Sequence, residues 1–133
     1  MDYRITDDKS KIKSADVQRL LSTTYWADKR PLEQIEKSMA NSACFGILDD
    51  SDGLIGFARV ISDFATTYYL CDVIIDSDYR KHGLGKELVS YIVSLPEYQN
   101  IRGILMTKDA HGLYEKYGFE KIEGRAMSKP VKR

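Results

Sequence analysis

The sequence predicts an α+β (mixed α/β) domain: a central, mostly antiparallel β-sheet flanked by about four helices. Three observations lead there. Apolar residues recur at helical spacing in two early segments, three β-rich apolar runs follow around polar connections, and the helical period returns from Leu84 onward.

A short strand is expected near residues 2–6. Ser14 is a candidate N-cap, after which Val17, Leu20, Leu21 and Thr24 fall at i, i+3, i+4 and i+7, one face of a helix. A second helix follows Asp28, because Pro31 is tolerated in a first helical turn and Leu32, Ile35 and Met39 then share a side. Residues 23–30 join the two helices. Ala43 to Leu48 and Leu54 to Ile61 flank the turn-rich Asp49-Asp50-Ser51-Asp52-Gly53, the pattern of a β-hairpin. Tyr68 to Asp76 is aromatic and β-branched and follows closely enough to extend the meander. Leu84, Leu88, Tyr91, Ile92 and Leu95 recur at 0, 4, 7, 8 and 11, an amphipathic helix ending at Pro96. Arg102 to Thr107 supplies a fifth strand, Ala110 to Tyr117 a short helix stopped by Gly118, and Phe119 to Glu123 a last strand. Arg125 to Arg133 is expected as an edge strand and basic tail. A right-handed crossover through the helix near Gly83 makes the strand before it parallel to the strand after Asn100.

With 133 residues and 43% hydrophobic content, the chain is read as one domain, 1–133, with no linker or repeat. A domain of this size buries roughly two thirds of its unfolded surface and needs no disulfide or metal. Its 20 basic and 20 acidic residues sum to zero, which gives no electrostatic case for nucleic acid or an anionic membrane. No apolar run approaches the roughly 20 residues of a membrane span, and Met1-Asp2-Tyr3-Arg4 does not resemble a signal peptide. A soluble cytoplasmic protein is therefore the expectation. Cys44 and Cys71 stand apart in apolar segments without a Cys-x-x-Cys pair and read as buried thiols, with no metal site.

The segment carrying chemistry runs from Val73-Ile74-Ile75 through Asp76-Ser77-Asp78-Tyr79 to Arg80-Lys81-His82-Gly83-Leu84-Gly85-Lys86: strand, glycine turn, helix. Gly83 and Gly85 allow close backbone approach, and the unpaired N–H groups and dipole of the helix start favour a phosphate. Arg80, Lys81 and Lys86 add positive charge. The alternative is a tight turn with a solvated basic rim. A P-loop is excluded because it needs glycine at position 80 and Ser or Thr after Lys86, where the chain has Arg80 and Glu87. A dinucleotide fingerprint fails at Leu88, where it needs glycine.

Arg80, Gly83 and Gly85 form Arg-x-x-Gly-x-Gly, followed about thirty residues later by Leu113-Tyr114-Glu115-Lys116-Tyr117-Gly118-Phe119. Together with the element order over nearly the whole chain, these resemble the acyl-CoA-binding and carboxy-terminal motifs of the GNAT superfamily of N-acetyltransferases. The resemblance implies a strand splayed from its parallel neighbour, with the pantetheine arm of acetyl-CoA in the gap against Val73, Ile74 and Ile75. It places the pyrophosphate on backbone amides from Arg80 through Lys81, His82, Gly83, Leu84 and Gly85 to Lys86. An N–H near Val73 would polarise the thioester carbonyl, and a neutral primary amine, of a small molecule or a lysine side chain, would attack directly. Tyr114 matches the position whose hydroxyl protonates the departing thiolate, the alternative being a tyrosine packed on the core with its hydroxyl wet. Tyr117, three residues on, would by the same resemblance lie beside the cofactor and pack.

The attacking ammonium must lose a proton, and Asp72 is the candidate base, either as a functional carboxylate or as one satisfied by a buried hydrogen bond. Strict alternation puts Asp72 and Ile74 on one face and Cys71, Val73 and Ile75 on the other. Asp63 is a second acidic candidate, alternatively a turn residue. Thr107 stands where many relatives carry a cofactor-contacting asparagine, with Asp109 as a cofactor contact or helix cap and His111 as a solvent-facing residue or local base. By the same resemblance the connection between the first two helices walls the acceptor site. Tyr25, Trp26 and Arg30 would stand on that side, with Asp63, Tyr68 and Asp72 opposite; Trp26 could equally anchor the core and Arg30 be a surface charge. A non-catalytic acyl-CoA-binding module is the alternative function. The resemblance is compatible with a homodimer, no metal is implied, and neither nucleic acid nor membrane is expected as a partner.

Overall fold

The structure is a computed structural model, and it describes residues 2–131. Its five strands lie in chain order, β1 (Tyr3–Thr6), β2 (Ala43–Asp49), β3 (Leu54–Ser62), β4 (Thr67–Ile75) and β5 (Arg102–Ile104). Neighbours are antiparallel except β4 and β5, which pair in parallel as the crossover requires. Helices α1 (Ser14–Leu21) and α2 (Leu32–Ala40) cover one sheet face; α3 (Leu84–Val93) covers the other, and the short α4 (His111–Glu115) follows β5.

Each face buries its own apolar set. Val17, Leu20, Leu21, Ile35 and Met39 from the first two helices pack on Cys44, Leu48, Leu54, Phe57 and Ile74. Leu84, Leu88, Val89 and Ile92 of α3 pack on Phe45, Ile47, Ala58, Val60 and Leu70. Leu88, Val89 and Ile92 are fully enclosed, so truncating one to alanine costs about 2–5 kcal/mol. In the β2–β3 hairpin, Asp49 Oδ1 accepts the N–H groups of Ser51 and Gly53 at 2.9 and 2.8 Å, which holds the turn at the register the two strands need.

Several element ends differ from expectation. Ser14 is the first residue of α1, not its cap; Lys13 occupies the cap, and Ser14 Oγ instead donates to Glu36 of α2 at 3.3 Å. Helix α3 stops at Val93 because Leu95 turns out to open a separate 3-10 turn over Pro96–Tyr98. Strand β5 ends at Ile104, short of Thr107, and α4 is five residues, with 116–118 forming a turn. The last strand expected over Phe119 to Glu123 does not form. Its two apolar residues, Phe119 and Ile122, are three apart and would fall on opposite faces of a strand, and the stretch lies between Gly118 and Gly124, both at positive φ (90° and 75°), so no apolar face holds it on β5. Residues 125–131 are likewise irregular and exposed rather than an edge strand, and Lys132 and Arg133 of the expected basic tail lie outside the described residues. No helix among the described residues is long and apolar enough to cross a membrane.

Candidate active site

The site is organised by the end of β4. Strand β5 pairs only with Thr67, Tyr68 and Tyr69, so among the described residues β4 has no strand partner on that side from Leu70 to Ile75. Asp76 donates its N–H to Ile55 of β3 at 2.8 Å; backbone groups alternate along a strand, so those of Ile75 and Val73 point away from β3 into the gap. Ahead of them lies a bulge: Arg59 of β3 faces Cys71 and Phe57 faces Ile74, leaving one residue too many on β4. Asp72 takes up the slack in the left-handed region at φ 55°, uncommon for a non-glycine residue and tolerated best by Asp and Asn. Strict alternation is thereby broken. Ile74 and Asp72 face the α1–α2 side and Val73 and Ile75 the α3 side, as expected, but Cys71 joins Asp72 because it is paired through Arg59 to Cys44 of the α1–α2 core.

Beyond β4 the chain makes the turn that opens α3. Asp76 anchors it: Oδ1 accepts the N–H of Asp78 at 3.0 Å and Oδ2 pairs with Arg19 of α1 at 3.0 Å. Arg80 folds back to donate Nε to the Ile75 carbonyl at 3.1 Å, while Lys81 and Gly83 both adopt positive φ (70° and 77°). The first N–H to find an acceptor at the start of α3 is that of Glu87, bonded to Gly83 O at 3.1 Å. The N–H groups of Leu84, Gly85 and Lys86 therefore have no intrahelical acceptor, and no side chain caps them. A Cβ on Gly85 would sit 3.7 Å from Ile75 Cγ1, ordinary contact, so packing does not demand glycine there. The side chain it lacks would fill the space between α3 and β4. This cradle fits a pyrophosphate and the arm behind it.

Tyr114 lies on α4, buried, with its ring edge-on to Phe119 at 6.0 Å, and burial pushes its hydroxyl pKa up. Tyr114, Tyr117 and His111 line a groove along the open edge of β5. The Tyr117 hydroxyl donates to the Lys86 carbonyl at 3.2 Å, tying the end of α4 to the first turn of α3. Thr107 Oγ1 accepts the Ala110 N–H at 3.0 Å and closes the turn before α4; Ala110 itself holds the N-cap position with no side-chain cap, so Asp109 does not cap the helix.

On the α1–α2 side the Asp72 side chain is 5% exposed and its Oδ2 accepts from Arg30 Nη1 at 2.8 Å and Arg59 Nε at 2.9 Å. Of the two alternatives for Asp72, the structure displays the satisfied buried carboxylate. Tyr25 and Trp26 pack edge-on at 5.3 Å and are exposed at 70% and 43%, so Trp26 is not a core anchor; Lys108 reaches over the Tyr25 ring at 5.3 Å. Asp63 is a turn residue: Oδ1 accepts the N–H groups of Ala65, Thr66 and Thr67 and Oδ2 the Thr66 hydroxyl, bonds that hold its pKa well below the usual carboxylate range. Tyr68 does not stand opposite Tyr25. It points to the α3 side, buried against Tyr98 with centroids 4.8 Å apart, and its ring covers Gly103, where a Cβ would come within 2.6 Å. Alternation puts Tyr69 on the α1–α2 side instead. Arg59 was not expected in the site; as the single charge inside Leu54 to Ile61 it carried a readable signal. Cys71 is half-buried, its thiol pushed up to about 11 by burial, and no group of three or more potential metal ligands exists among the described residues.

The family model of the acetyltransferase (GNAT) domain matches residues 40–121. A crystal structure from Xanthomonas campestris pv. campestris, assigned to the GNAT family of acetyltransferases, is 36% identical with a TM-score of 0.91, over 98% of this chain and 94% of that one. Glucosamine-6-phosphate N-acetyltransferase from Arabidopsis thaliana shares the fold, with a TM-score of 0.72 over 99% of this chain and 100% of that one at 17% identity. Among curated proteins, an N-acetyltransferase of Gracilaria tenuistipitata var. liui, ycf52, is 31% identical over 78% of this chain and 60% of its own length. GCN5-related N-acetyltransferase 2, chloroplastic, of Arabidopsis thaliana is 31% identical over 79% of this chain and 49% of its own. The chain thus spans about half to three fifths of the length of these two curated relatives.

Proposed function

The chain belongs to the GNAT family of acetyltransferases, and from that premise we propose that it transfers an acetyl group from acetyl-CoA to a primary amine by direct attack within a ternary complex. One observation carries the reading: the unpaired outer edge of β4 leads directly into a helix start whose N–H groups have no acceptor. Acetyl-CoA supplies an activated thioester. The N–H and carbonyl of Val73 and the N–H of Ile75 offer groups a pantetheine amide would otherwise find in a sheet partner, the Ile75 carbonyl being held by Arg80, and residues 80–86 receive the pyrophosphate. The Val73 N–H is aimed where negative charge develops on the thioester oxygen, and the Tyr114 hydroxyl gives its proton to the departing thiolate. Burial keeps that hydroxyl protonated at neutral pH, the form the role requires. Asp72 is assigned a positioning role rather than that of base, because one of its oxygens is already shared by two guanidiniums.

Calorimetry with acetyl-CoA on wild type and on Gly83→Glu tests the reading. Gly83 has open space beside it, so the substitution adds charge at the cradle and strains a residue at φ 77° without a core clash. Binding by wild type that falls at least about tenfold in a folded variant supports the site. Absence of wild-type binding would overturn it.

A further inference from the structure

We propose that the acceptor amine carries an acidic group, a carboxylate or a phosphate, which docks on the guanidiniums of Arg30 and Arg59. This rests on the transferase reading above and names the substrate class of the same site. Two guanidiniums converge on a single carboxylate oxygen, Asp72 Oδ2, with side chains only 20% and 12% exposed. Arg59 spends Nε on that bond and Arg30 spends Nη1. Both Nη groups of Arg59, and Nε and Nη2 of Arg30, have no protein acceptor among the described residues. A second ion pair does not offset the charge either, so the cluster keeps one net positive charge where water is scarce.

Among the described residues no neighbouring group cancels that charge. The Cys71 thiol is pushed up to about 11 and burial raises the Tyr69 hydroxyl, so both are neutral at neutral pH. Asp28 and Asp109 are exposed and pair with neither arginine, while Lys108 brings a third cation to the rim over Tyr25. The guanidinium fork matches carboxylate and phosphate oxygens, and such charge-assisted bonds are about twice as strong as neutral ones. The same net charge repels a lysine carried on a basic peptide and favours an amine that bears its own anion, such as an amino acid or an aminoalkyl phosphate.

The test is steady-state release of CoA with matched amines: an amino acid against its amide, and O-phosphoethanolamine against ethanolamine, the two arms separating carboxylate from phosphate. The charged member of at least one pair is expected to exceed its neutral partner about tenfold or more in kcat/KM. That preference should shrink to within about twofold in Arg30→Gln, survive in part in Arg30→Lys, and rise in Asp72→Asn, which removes the compensating charge. Acetyl-CoA affinity should be unchanged in Arg30→Gln. Should that variant misfold, Arg59→Gln replaces it in the same comparison. Equal rates within both pairs, or a preference unaltered in a folded arginine variant, would overturn the anion site while leaving the transferase standing. Release with no amine at all would overturn the transferase reading, and this inference with it.

Discussion

The two sides of β4 recognise by different means. Toward α3 the surface is backbone: N–H groups at a helix start, carbonyl and amide groups on an unpaired strand edge, and glycines where side chains would intrude. Toward α1 and α2 it is side chain: a buried carboxylate and two guanidiniums from three separate elements. A backbone site suits a constant ligand, since nothing there depends on which residues stand at most positions. A side-chain cluster is where a relative with another acceptor can differ without disturbing the fold. The contrast predicts that changes on one side alter binding or rate at little cost in stability, and that changes on the other cost stability as well.

The sharpest way to break the contrast is at Tyr114, the one side chain asked to act chemically on the cofactor side. Tyr114→Phe should lower kcat about 100-fold or more with acetyl-CoA affinity nearly unchanged, measured by CoA release beside calorimetry. The acid role needs the protonated hydroxyl, and burial raises its pKa, so the alkaline loss of kcat from this group belongs above pH 10 rather than below. A variant as fast as wild type removes Tyr114 from the chemistry. On the acceptor side, Asp72→Ala leaves two half-buried guanidiniums facing each other and puts alanine at φ 55°. Loss of one partner of a buried pair costs about 3 kcal/mol, visible as a lowered midpoint in urea, and a midpoint unchanged would mean the pair contributes nothing. The smallest effect sharpens the comparison most. Gly85→Ala meets only ordinary contact with Ile75 and reduces the freedom of the unfolded chain, so the protein should be equally or slightly more stable, by up to about 1 kcal/mol, while acetyl-CoA binds several-fold more weakly. Unchanged affinity would show that the cradle does not approach its ligand there.

The same contrast explains what could be read from sequence. Gly83, Gly85 and Arg80 lie within one short run, and a strand, a glycine turn and a helix that follow one another in sequence must follow one another in space. Arg30, Arg59 and Asp72 meet only because α1 and α2 cover the face onto which β3 and β4 project them, so their contact needed the topology. The helices and the meander were legible because their apolar spacing repeats over many residues. The strand expected at Phe119 does not form because its two apolar residues, three apart, share no strand face and glycines at positive φ bracket it. Tyr68 was placed by the resemblance and Cys71 by alternation, and alternation fails wherever a strand carries an extra residue; Tyr68 lies before the bulge and Val73 after it, on the same side of the sheet despite an odd separation.

That extra residue has a consequence for how the chain can change length. With the bulge present, Cys71 and Asp72 face the same chamber at adjacent positions, which a regular strand forbids. Deleting Asp72 would restore regular pairing, Val73 then facing Ala58, with every remaining side chain on its present face. The strand can therefore lose this residue and keep both linings, and what goes with it is the shared partner of Arg30 and Arg59.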